Sequence, residues 1–538
     1  MTDRKARYIE ERQVRYATGQ ISRRTFITSL VATGMAVPLA VGMASQVEAQ
    51  TAQRGGTFKL GTGYGSTTDS LNPGTYENSM MTQTGFVYGN CLTEIAPDGS
   101  LVADLAESYE ASDDGSVWTF SLRPGSEFHN GKSVTASDVI ATINYHRAED
   151  SSSAAKGILA PITDIQADGD MKVVFTLDGP NADFPYIVSD YHLIILPSED
   201  GETIDPTSGI GTGGYVIQSF EPGVRTLAER NPNYYKDDRA WFDSVEVLAL
   251  IDVTARQNAL MSGEVHAIDR LDPKTLSFIE RAPNIEVLEK TGYLHYTFPM
   301  RLDTAPFDNY DLRMALKLAV NRQEMVDKIL LGHGTIGNDH PISPSVPFHA
   351  DLPQREFNPE LAAEHYAKSG HTGPIQLSAS DAAFAGAVDA AQLLQASAAQ
   401  AGIEIEIVRE PSDGYWSNVW NKKGWCACYW GGRPTQDWMY TSAYTDDTEW
   451  NDTAWKGTDS SARFNELVIQ ARGELDEAKR AEMYAECQTL ISDDGGAIVP
   501  MFANYIMGVG DKVAHGEVAS NWVNDGNKSH ERWWSTDV

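Results

Sequence analysis

The sequence predicts an α/β protein made of two lobes joined by a hinge. Runs rich in β-branched and aromatic residues alternate along the chain with runs of helical periodicity. The chain has 538 residues, more than one hydrophobic core accommodates, so two or three lobes are expected. Two extended apolar runs, 293–300 and 498–505, bracket the segment between them. If both are strands that cross between lobes, that segment is a second lobe inserted into the first, and the paired crossings form a hinge.

The elements follow in chain order. The strand-like runs are 57–60, 117–122, 171–177, 193–196, 245–250 and 403–408. A capping box from Thr135 to Asp138 predicts a helix running toward Arg147. Apolar residues at helical spacing predict further helices over 312–331 and 381–400, and the second of these leads into the strand at 403–408, which is typical of an α/β unit.

The N-terminal segment has the pattern of a twin-arginine export signal. Arg23 and Arg24 precede an apolar run that extends to residue 47, and the small residues after it predict cleavage between Ala49 and Gln50. An uncleaved anchor is the alternative, because about 20 apolar residues span a bilayer, but polar residues and glycines interrupt this run. We therefore expect a soluble protein of the periplasm with no other membrane segment.

The chain is strongly acidic, with a net charge of −33 at pH 7. A surface of this charge repels nucleic acid and anionic membranes, so neither is expected as a partner. The acidity is equally explained by a salty habitat and does not itself identify a function.

The four cysteines are expected to be structural. They are Cys91, Cys426, Cys428 and Cys487. In an oxidising compartment they allow three full pairings, and because Cys426 and Cys428 are too close for an easy mutual bridge, each pairs elsewhere or stays buried. Neither the cysteines nor the scattered histidines have the spacing of metal ligands, so we expect no metal and no cofactor.

Five stretches of the chain have a recognisable pattern. They are Asp104-Leu105-Ala106-Glu107-Ser108-Tyr109, Asp113-Asp114-Gly115-Ser116-Val117-Trp118-Thr119-Phe120, Phe128-His129-Asn130-Gly131-Lys132, Gly211-Thr212-Gly213-Gly214-Tyr215 and Arg230-Asn231-Pro232-Asn233-Tyr234-Tyr235. These stretches resemble a known family, the extracytoplasmic solute-binding proteins of peptide, dipeptide and nickel ABC transporters. The resemblance covers nearly all of residues 55–510 and extends through Pro306-Phe307 to Asn321-Arg322.

The resemblance implies a two-lobed periplasmic binding protein fold of the large class, which has an extra small domain and a hinge between the lobes. Its expected divisions are a signal peptide at 1–49, lobe I from 50–94, 212–302 and 500–538, a small accessory domain of lobe I at 95–211, and lobe II at 303–499. Such a protein closes on a small-molecule or peptide ligand and delivers it to a membrane permease driven by an ATPase. We expect it to act as a monomer.

Seven of the twelve tryptophans lie between residues 416 and 455. They are Trp416, Trp420, Trp425, Trp430, Trp438, Trp450 and Trp455. Aromatic faces bind cations and stack on flat solutes, so the density predicts part of a binding cleft, with core packing as the alternative for each ring. Trp416, Trp420, Trp430 and Trp438 are the candidates to contact the ligand.

The loop 430–438 corresponds to the family's ligand loop, where an aspartate commonly binds the amino group of a peptide. Thr435 stands at that position, so the carboxylate is missing unless Asp437 replaces it. Arg433 is a candidate to bind a carboxylate through its planar fork, or else to form a salt bridge that holds the loop. Gly431 is a further candidate contact. An arginine beside aromatic rings suits a zwitterion, such as a dipeptide, a modified amino acid or a betaine-like quaternary amine.

The N-terminal strand loops of this class line the opposite wall of the cleft, which makes Tyr64, Tyr76 and Asn78 candidates there. The interpretation is a receptor with no catalytic residues. The alternatives are a secreted hydrolase acting on peptides or glycans, which would turn over its substrate, and a chaperone or sensor of the same fold, which would bind a protein partner without a permease.

Overall fold

The computed structural model describes residues 8, 9, 12, 13, 15, 23–33, 35, 43, 52–474 and 476–536. Residues 23–32 are helical, and the expected cleavage position at 49–50 lies outside the described residues. None of the helices in this described part of the chain is both long enough and apolar enough to cross a membrane.

Most strands belong to one seven-stranded sheet and two four-stranded sheets. In chain order the strands are β1 (Thr57–Thr62), β2 (Thr93–Ile95), β3 (Leu101–Ala103), β4 (Ala106–Ala111), β5 (Val117–Leu122), β6 (Ile162–Ala167), β7 (Lys172–Leu177), β8 (Tyr215–Glu221), β9 (Arg225–Arg230), β10 (Ser244–Ala249), β11 (Ala267–Ile268), β12 (Ile285–Lys290), β13 (His295–Thr297), β14 (Gly334–Ile336), β15 (Ile375–Ala379), β16 (Ile405–Arg409), β17 (Cys428–Trp430), β18 (Met501–Ala503), β19 (Tyr505–Gly510), β20 (Val513–Ala514) and β21 (Trp534–Ser535).

The sheets combine distant parts of the chain. The seven-stranded sheet has the order β12-β19-β11-β1-β10-β9-β8, and the four-stranded sheets have the orders β14-β18-β13-β17 and β4-β5-β7-β6. Two-stranded sheets pair β15 with β16, β2 with β3 and β20 with β21. The regular α-helices of four or more residues are Arg23–Ala32, Ser79–Tyr88, Ala136–Arg147, Phe184–Ile187, Val253–Ser262, Leu276–Ile279, Tyr310–Leu318, Arg322–Met325, Pro359–Ser369, Ala387–Ala399, Tyr415–Asn418, Gln436–Ala443, Asp459–Gly473, Glu477–Asp493 and Ser529–Arg532. Val326–Leu330 is a π-helix, and Val523–Asn527 is a helical turn with left-handed backbone.

Two neighbouring segments connect the seven-stranded sheet with the sheet β14-β18-β13-β17. The chain leaves the first after β12 and enters the second at β13, and it returns from β18 to β19 with only Asn504 between them. Because β12 pairs with β19 and β13 pairs with β18, the two crossings run side by side. Both apolar runs that the sequence singles out therefore carry crossing strands, whereas the exact domain boundaries stay predictions.

Separate hydrophobic cores support this arrangement. The largest is built almost entirely from residues 294–505, and the second is built mainly from residues 76–196. A third lies under the seven-stranded sheet and combines residues 58–288 with 507–533. Separately packed cores let lobes move as units around a short connection.

The predicted strands are confirmed at five of six places. The runs at 57–60, 117–122, 171–177, 245–250 and 403–408 coincide with β1, β5, β7, β10 and β16. The prediction of a strand at 193–196 is wrong, because this buried apolar stretch is a connecting segment. Its periodicity cannot distinguish a buried strand from a buried loop, because the side chains of both are apolar.

The predicted helices are confirmed in position but are shorter. The first spans Ala136–Arg147, and the Asp138 carboxylate accepts a hydrogen bond from the Thr135 N–H at 2.9 Å, as a capping box requires. The helix expected over 312–331 is divided, because Asn321 caps a new helix by accepting from Glu324 N–H. The helix expected over 381–400 begins only at Ala387.

All four cysteines are buried and free, so the alternative that they stay unpaired in the core is the one observed. His340 and His349 lie 5.8 Å apart between ring centroids, and His333 bonds to Glu289 instead. Within the described residues, no group of three or more His, Cys, Asp or Glu side chains could hold a metal ion.

Candidate binding site

A cavity lined by aromatic rings lies where the tryptophan-rich segment approaches helix Ser79–Tyr88 and the C-terminal residues. We call it the aromatic cavity. Its volume is about 80 Å3, and its rings are Tyr191, Trp416, Trp420, Tyr429, Trp430, Trp450, Tyr505 and Trp522. Its other lining residues are Glu77, Asn78, Ser79, Thr82, Arg270, Gly431, Arg433, Val523 and Asn527.

Asp452 organises the tryptophans of one wall. This buried carboxylate accepts a hydrogen bond from Trp420 Nε1 at 3.0 Å and another from Trp430 Nε1 at 3.1 Å. Both indoles meet Trp450 edge-to-face, with ring centroids 5.7 and 5.6 Å apart. Burial raises the pKa of Asp452 to about 6, against the lowering effect of the two indole donors.

Arg270 lies on the faces of two tyrosines. Its guanidinium carbon is 4.0 Å from the ring centroid of Tyr64 and 4.4 Å from that of Tyr429, and these two rings stack at 5.3 Å. Among the described residues its side chain donates no hydrogen bond and forms no ion pair, and its Nε is buried without a partner. Burial raises the pKa of Tyr429 to about 12, so the supporting ring is neutral.

The backbone of Arg270 is held in a strained conformation. Its φ of 52° is in the left-handed region, which costs roughly 1–2 kcal/mol for a residue other than glycine. The buried Arg256 stabilises the turn by donating to the Arg270 carbonyl at 3.1 Å and to the Asp269 carbonyl at 3.2 Å. Strain of this kind persists where the surroundings fix it, and it is frequent at ligand sites.

A second, larger cavity shares Arg270 with the first. Its volume is about 550 Å3, and it lies between residues 251–274 on one side and 381–389 on the other, so we call it the interlobe cavity. Tyr64 lines it as well, and its hydroxyl donates to the Ala383 carbonyl at 2.9 Å. A solute held by Arg270 can extend into either cavity.

Arg433 lines the aromatic cavity, but its charge is already balanced. Its Nε lies 3.8 Å from Asp190 Oδ2, and its Nη1 donates to the Gly432 carbonyl at 2.9 Å. Burial alone would raise the pKa of Asp190, but hydrogen bonds from His192 and the charge of Arg433 lower it to about 2. Of the two roles open from the sequence, the fold contains an ion pair with Asp190, in which Arg433 Nε is buried and makes no hydrogen bond among the described residues.

The other sequence-predicted residues divide into two groups. Trp416, Trp420, Trp430, Gly431 and Asn78 line the aromatic cavity, and Asn78 also caps helix Ser79–Tyr88 by accepting from Met80 N–H at 3.1 Å. Tyr64 lies beneath Arg270 and lines the interlobe cavity.

Four candidates do not line the aromatic cavity. Asp437 is paired with Arg472 at 2.9 Å, so its carboxylate does not replace the missing aspartate there. Thr435 caps helix Gln436–Ala443, and Trp438 is fully buried with its Nε1 on Asp190. Tyr76 is a core residue whose hydroxyl lies 2.8 Å from that of Tyr88. Each side chain is occupied by a partner within the fold.

Sequence reasoning missed Arg270, Glu77, Trp522 and Asn527. None of them lies in a motif or a periodic pattern, and the last two stand about 70 residues beyond the tryptophan-rich segment. The positive φ of Arg270 is not readable from the sequence, because arginine carries no preference for that conformation.

The fold and the two cavities define a class of protein that encloses a small solute between lobes. The family model of bacterial extracellular solute-binding proteins, family 5 (middle region), matches residues 100–452. The chain therefore belongs to the bacterial extracellular solute-binding proteins, family 5.

Known proteins with similar sequences bind small peptides. The di/tripeptide-binding protein 1 of Pseudomonas aeruginosa is 24% identical over 449 residues, covering 75% of this chain and 81% of that protein. The glutathione-binding protein GsiB of Pectobacterium atrosepticum is 24% identical over 350 residues, covering 64% and 67%.

Solved structures confirm the two-lobed fold. The periplasmic binding protein AgaA of A. tumefaciens R10, in complex with agropinic acid, superposes with a TM-score of 0.82 at 20% identity and covers 90% of this chain and 99% of its own. NikZ of Campylobacter jejuni, in complex with Ni(L-His), gives a TM-score of 0.78 at 18% identity and covers 89% and 99%. At these identities the likeness concerns the fold alone.

Proposed function

We propose that this protein is the periplasmic receptor of an ABC importer and captures a small zwitterionic solute, which it delivers to a membrane permease driven by an ATPase. Ligand contacts from both lobes stabilise the closed conformation, so binding and closure are a single equilibrium. The permease recognises the closed conformation. The observation that carries the proposal is the unpaired guanidinium of Arg270 at the junction of the two cavities.

An unpaired arginine at a cavity is suited to a carboxylate. Arg270 presents a planar fork of donors, and the stacked rings of Tyr64 and Tyr429 fix its plane without using any of them. A carboxylate bound there receives charge-assisted hydrogen bonds in a largely desolvated place. Arg433 contributes less, since Asp190 already neutralises it.

The opposite pole of the solute is cationic in this proposal. The faces of the cavity tryptophans can accommodate a cation, and Glu77 supplies a carboxylate in the same lining. An amino-acid-like compound, a short peptide and a betaine-like amine all have the two required charges. The di- and tripeptides and the glutathione for which the two relatives are named support the first two.

The test is a thermal-shift screen of the purified protein after mild unfolding and refolding, which removes carried-over ligand. The panel contains amino acids, dipeptides, longer peptides and quaternary amines. A receptor is stabilised in a saturable way by one class, as mass action requires, and the ligand is recovered intact, whereas a hydrolase would convert it.

The variant Arg270→Gln tests the anchor. We expect the affinity for the stabilising solute to fall about 10- to 100-fold, because a charge-assisted hydrogen bond contributes about 1.5–3 kcal/mol. Arg270→Lys is the matched control. It keeps the positive charge but not the planar set of donors, and we expect it to lose less affinity than Arg270→Gln. Unchanged binding by Arg270→Gln would show that the carboxylate lies elsewhere.

We also propose export through the twin-arginine pathway with cleavage near Ala49-Gln50, and the division into lobe I, accessory domain and lobe II given by the resemblance. The pair Arg23-Arg24 supports the pathway. N-terminal sequencing of the periplasmic protein tests the cleavage position.

A further inference from the structure

The C-terminal residues 519–534, which we call the tail, form one wall of the aromatic cavity. Trp522, Val523 and Asn527 line the cavity. The ring of Trp522 packs edge-to-face on Trp438 and Tyr191, with centroids 6.0 and 5.4 Å apart. The tail is therefore packed in place and contributes to the lining of the aromatic cavity.

The backbone that presents these side chains is unusual. Four consecutive residues have left-handed φ values, which are 53° at Asn524, 60° at Asp525, 66° at Gly526 and 60° at Asn527. Such residues normally occur singly, because the left-handed conformation is unfavourable for residues other than glycine. The surrounding structure must therefore hold this turn in place.

Asp525 supplies much of that support. Its carboxylate accepts hydrogen bonds from Ala519 N–H at 2.7 Å and from Trp533 Nε1 at 3.0 Å, which closes the tail into a loop. Beyond the turn, Lys528 and Arg532 bind the buried Glu94 at 3.1 and 2.8 Å. These contacts fix Trp522 and Asn527 in position before any solute arrives.

Six polar side-chain atoms of the tail are buried without a hydrogen-bond partner among the described residues, and only two of them, on Trp522 and Asn527, belong to residues that line the aromatic cavity. Trp522 Nε1 and Asn527 Oδ1 are buried and make no hydrogen bond among the described residues, and the two side chains are only 6% and 2% exposed. Buried polar atoms are nearly always hydrogen-bonded, so this donor and this acceptor in the lining of one cavity are available to a solute that enters it. Trp522 offers an N–H, and Asn527 offers an oxygen.

We propose that the tail determines which solute binds. Asn527 Oδ1 accepts from an N–H of the solute, and Trp522 Nε1 donates to one of its oxygens. The solute class is then an amine or amide that retains N–H, and a quaternary amine of the same skeleton is rejected because it has no hydrogen to donate. This inference rests on the proposed function and selects among the zwitterions that it allows.

The experiment compares matched pairs of probes with the purified protein. The pairs are alanine with its N-trimethyl betaine, and alanyl-alanine with its N-trimethyl derivative, measured by thermal shift and titration calorimetry. We expect the N–H member of the binding pair to bind at least tenfold more tightly. Equal or tighter binding of the trimethyl member contradicts the proposal that the tail selects the solute. It does not contradict the proposal that the protein is a receptor. If no member of either pair binds, the zwitterion proposal fails as well.

Three variants connect the preference to the tail. Asn527→Gly suits the left-handed backbone and removes the acceptor, so we expect the N–H preference to fall below threefold. Asn527→Asp keeps an acceptor and keeps the preference. Trp522→Phe keeps an aromatic ring but removes the N–H together with part of the indole, and we expect it to weaken both members of a pair equally. A preference unchanged in Asn527→Gly contradicts the proposal.

The ligand-free proteins provide a readout that does not require a solute. Because Asn527 Oδ1 has no partner to lose, Asn527→Gly is expected to melt within about 3 °C of the parent protein. Trp522→Phe also loses buried ring contacts and is expected to melt lower. A much larger loss in Asn527→Gly would show that its oxygen holds internal water for structural reasons, and the proposal would be wrong.

Discussion

Glu77 is the acidic side chain of the aromatic cavity, and burial raises its pKa to about 7. The charge of Asp69 raises it further, whereas Lys422 lowers it. Since the folded value is above the usual value of about 4.3, the folded protein binds the additional proton, and the contribution of Glu77 to stability falls as pH rises between these two values. Above pH 7 the site gains a negative charge that a cationic group of the solute can compensate.

We predict that binding of an ammonium-bearing solute strengthens a few-fold between pH 6 and pH 8. Ionised Glu77 attracts the cation more than the neutral acid does, and the variant Glu77→Gln removes that dependence. Titration calorimetry at pH 6, 7 and 8 measures both. If the slope persists in Glu77→Gln, Glu77 is not the titrating group and the prediction is wrong.

The tail is the element whose anchoring depends most on buried charge. Glu531 lies within 3.5 Å of Lys528 and 3.1 Å of Lys236, and it is only 1% exposed. Although burial alone would raise the pKa of Glu531, these lysines lower it below its ordinary value. A carboxyl group with a lowered pKa stabilises the fold fully above its unfolded pKa, and the contribution is lost as pH falls below about 4.3.

We predict that Glu531→Gln lowers the free energy of unfolding by about 3 kcal/mol at pH 7, because removing one member leaves buried cations uncompensated. The loss relative to the parent protein shrinks below about pH 4.3, because the carboxyl group of the unfolded chain is protonated there and the contribution of the folded carboxylate to stability declines. Urea denaturation at pH 7 and pH 4 measures the difference. The exposed Glu482→Gln is the control, and an equal effect of both variants would contradict the anchoring role.

At the scale of the whole molecule, exposed polar contacts lie close to the interlobe cavity. Lys274 Nζ lies 3.0 Å from Asp389 Oδ2, with both side chains about half exposed, and Thr67 Oγ1 donates to Asp413 at 3.2 Å. Exposed ion pairs contribute about 0–1 kcal/mol each, so such contacts favour the closed conformation only weakly. Most of the free energy that favours closure must then come from the bound solute.

We predict that Lys274→Glu and Asp389→Lys each weaken solute binding by about threefold to fivefold, because each places like charges across the cavity, and that the double exchange restores it. Salt reduces both effects, since the pair is exposed. Affinity by calorimetry and radius of gyration by small-angle scattering measure the outcome. A double variant as weak as the sum of the single ones would show that the pair does not act across the lobes.

The sequence by itself determined the family, the α/β class and the segment that carries the aromatic wall. Local rules account for this, because the capping box at 135–138 and the periodicity of the strands depend only on neighbouring residues. The tryptophans Trp416, Trp420 and Trp430 line the cavity as the sequence suggested. The length of the helix predicted at 312–331 was overestimated, because the N-cap at Asn321 is a local signal that competes with the apolar spacing.

Only the tertiary structure decided which polar groups are available to a solute. Arg433 and Arg270 are the same residue type, but Asp190 neutralises the first, and two tyrosine faces support the second without pairing it. Those partners are far apart in the sequence and meet only on folding. Whether a side chain is occupied or free depends on its neighbours in space, and for that reason the carboxylate anchor and the tail wall could not be read from the sequence.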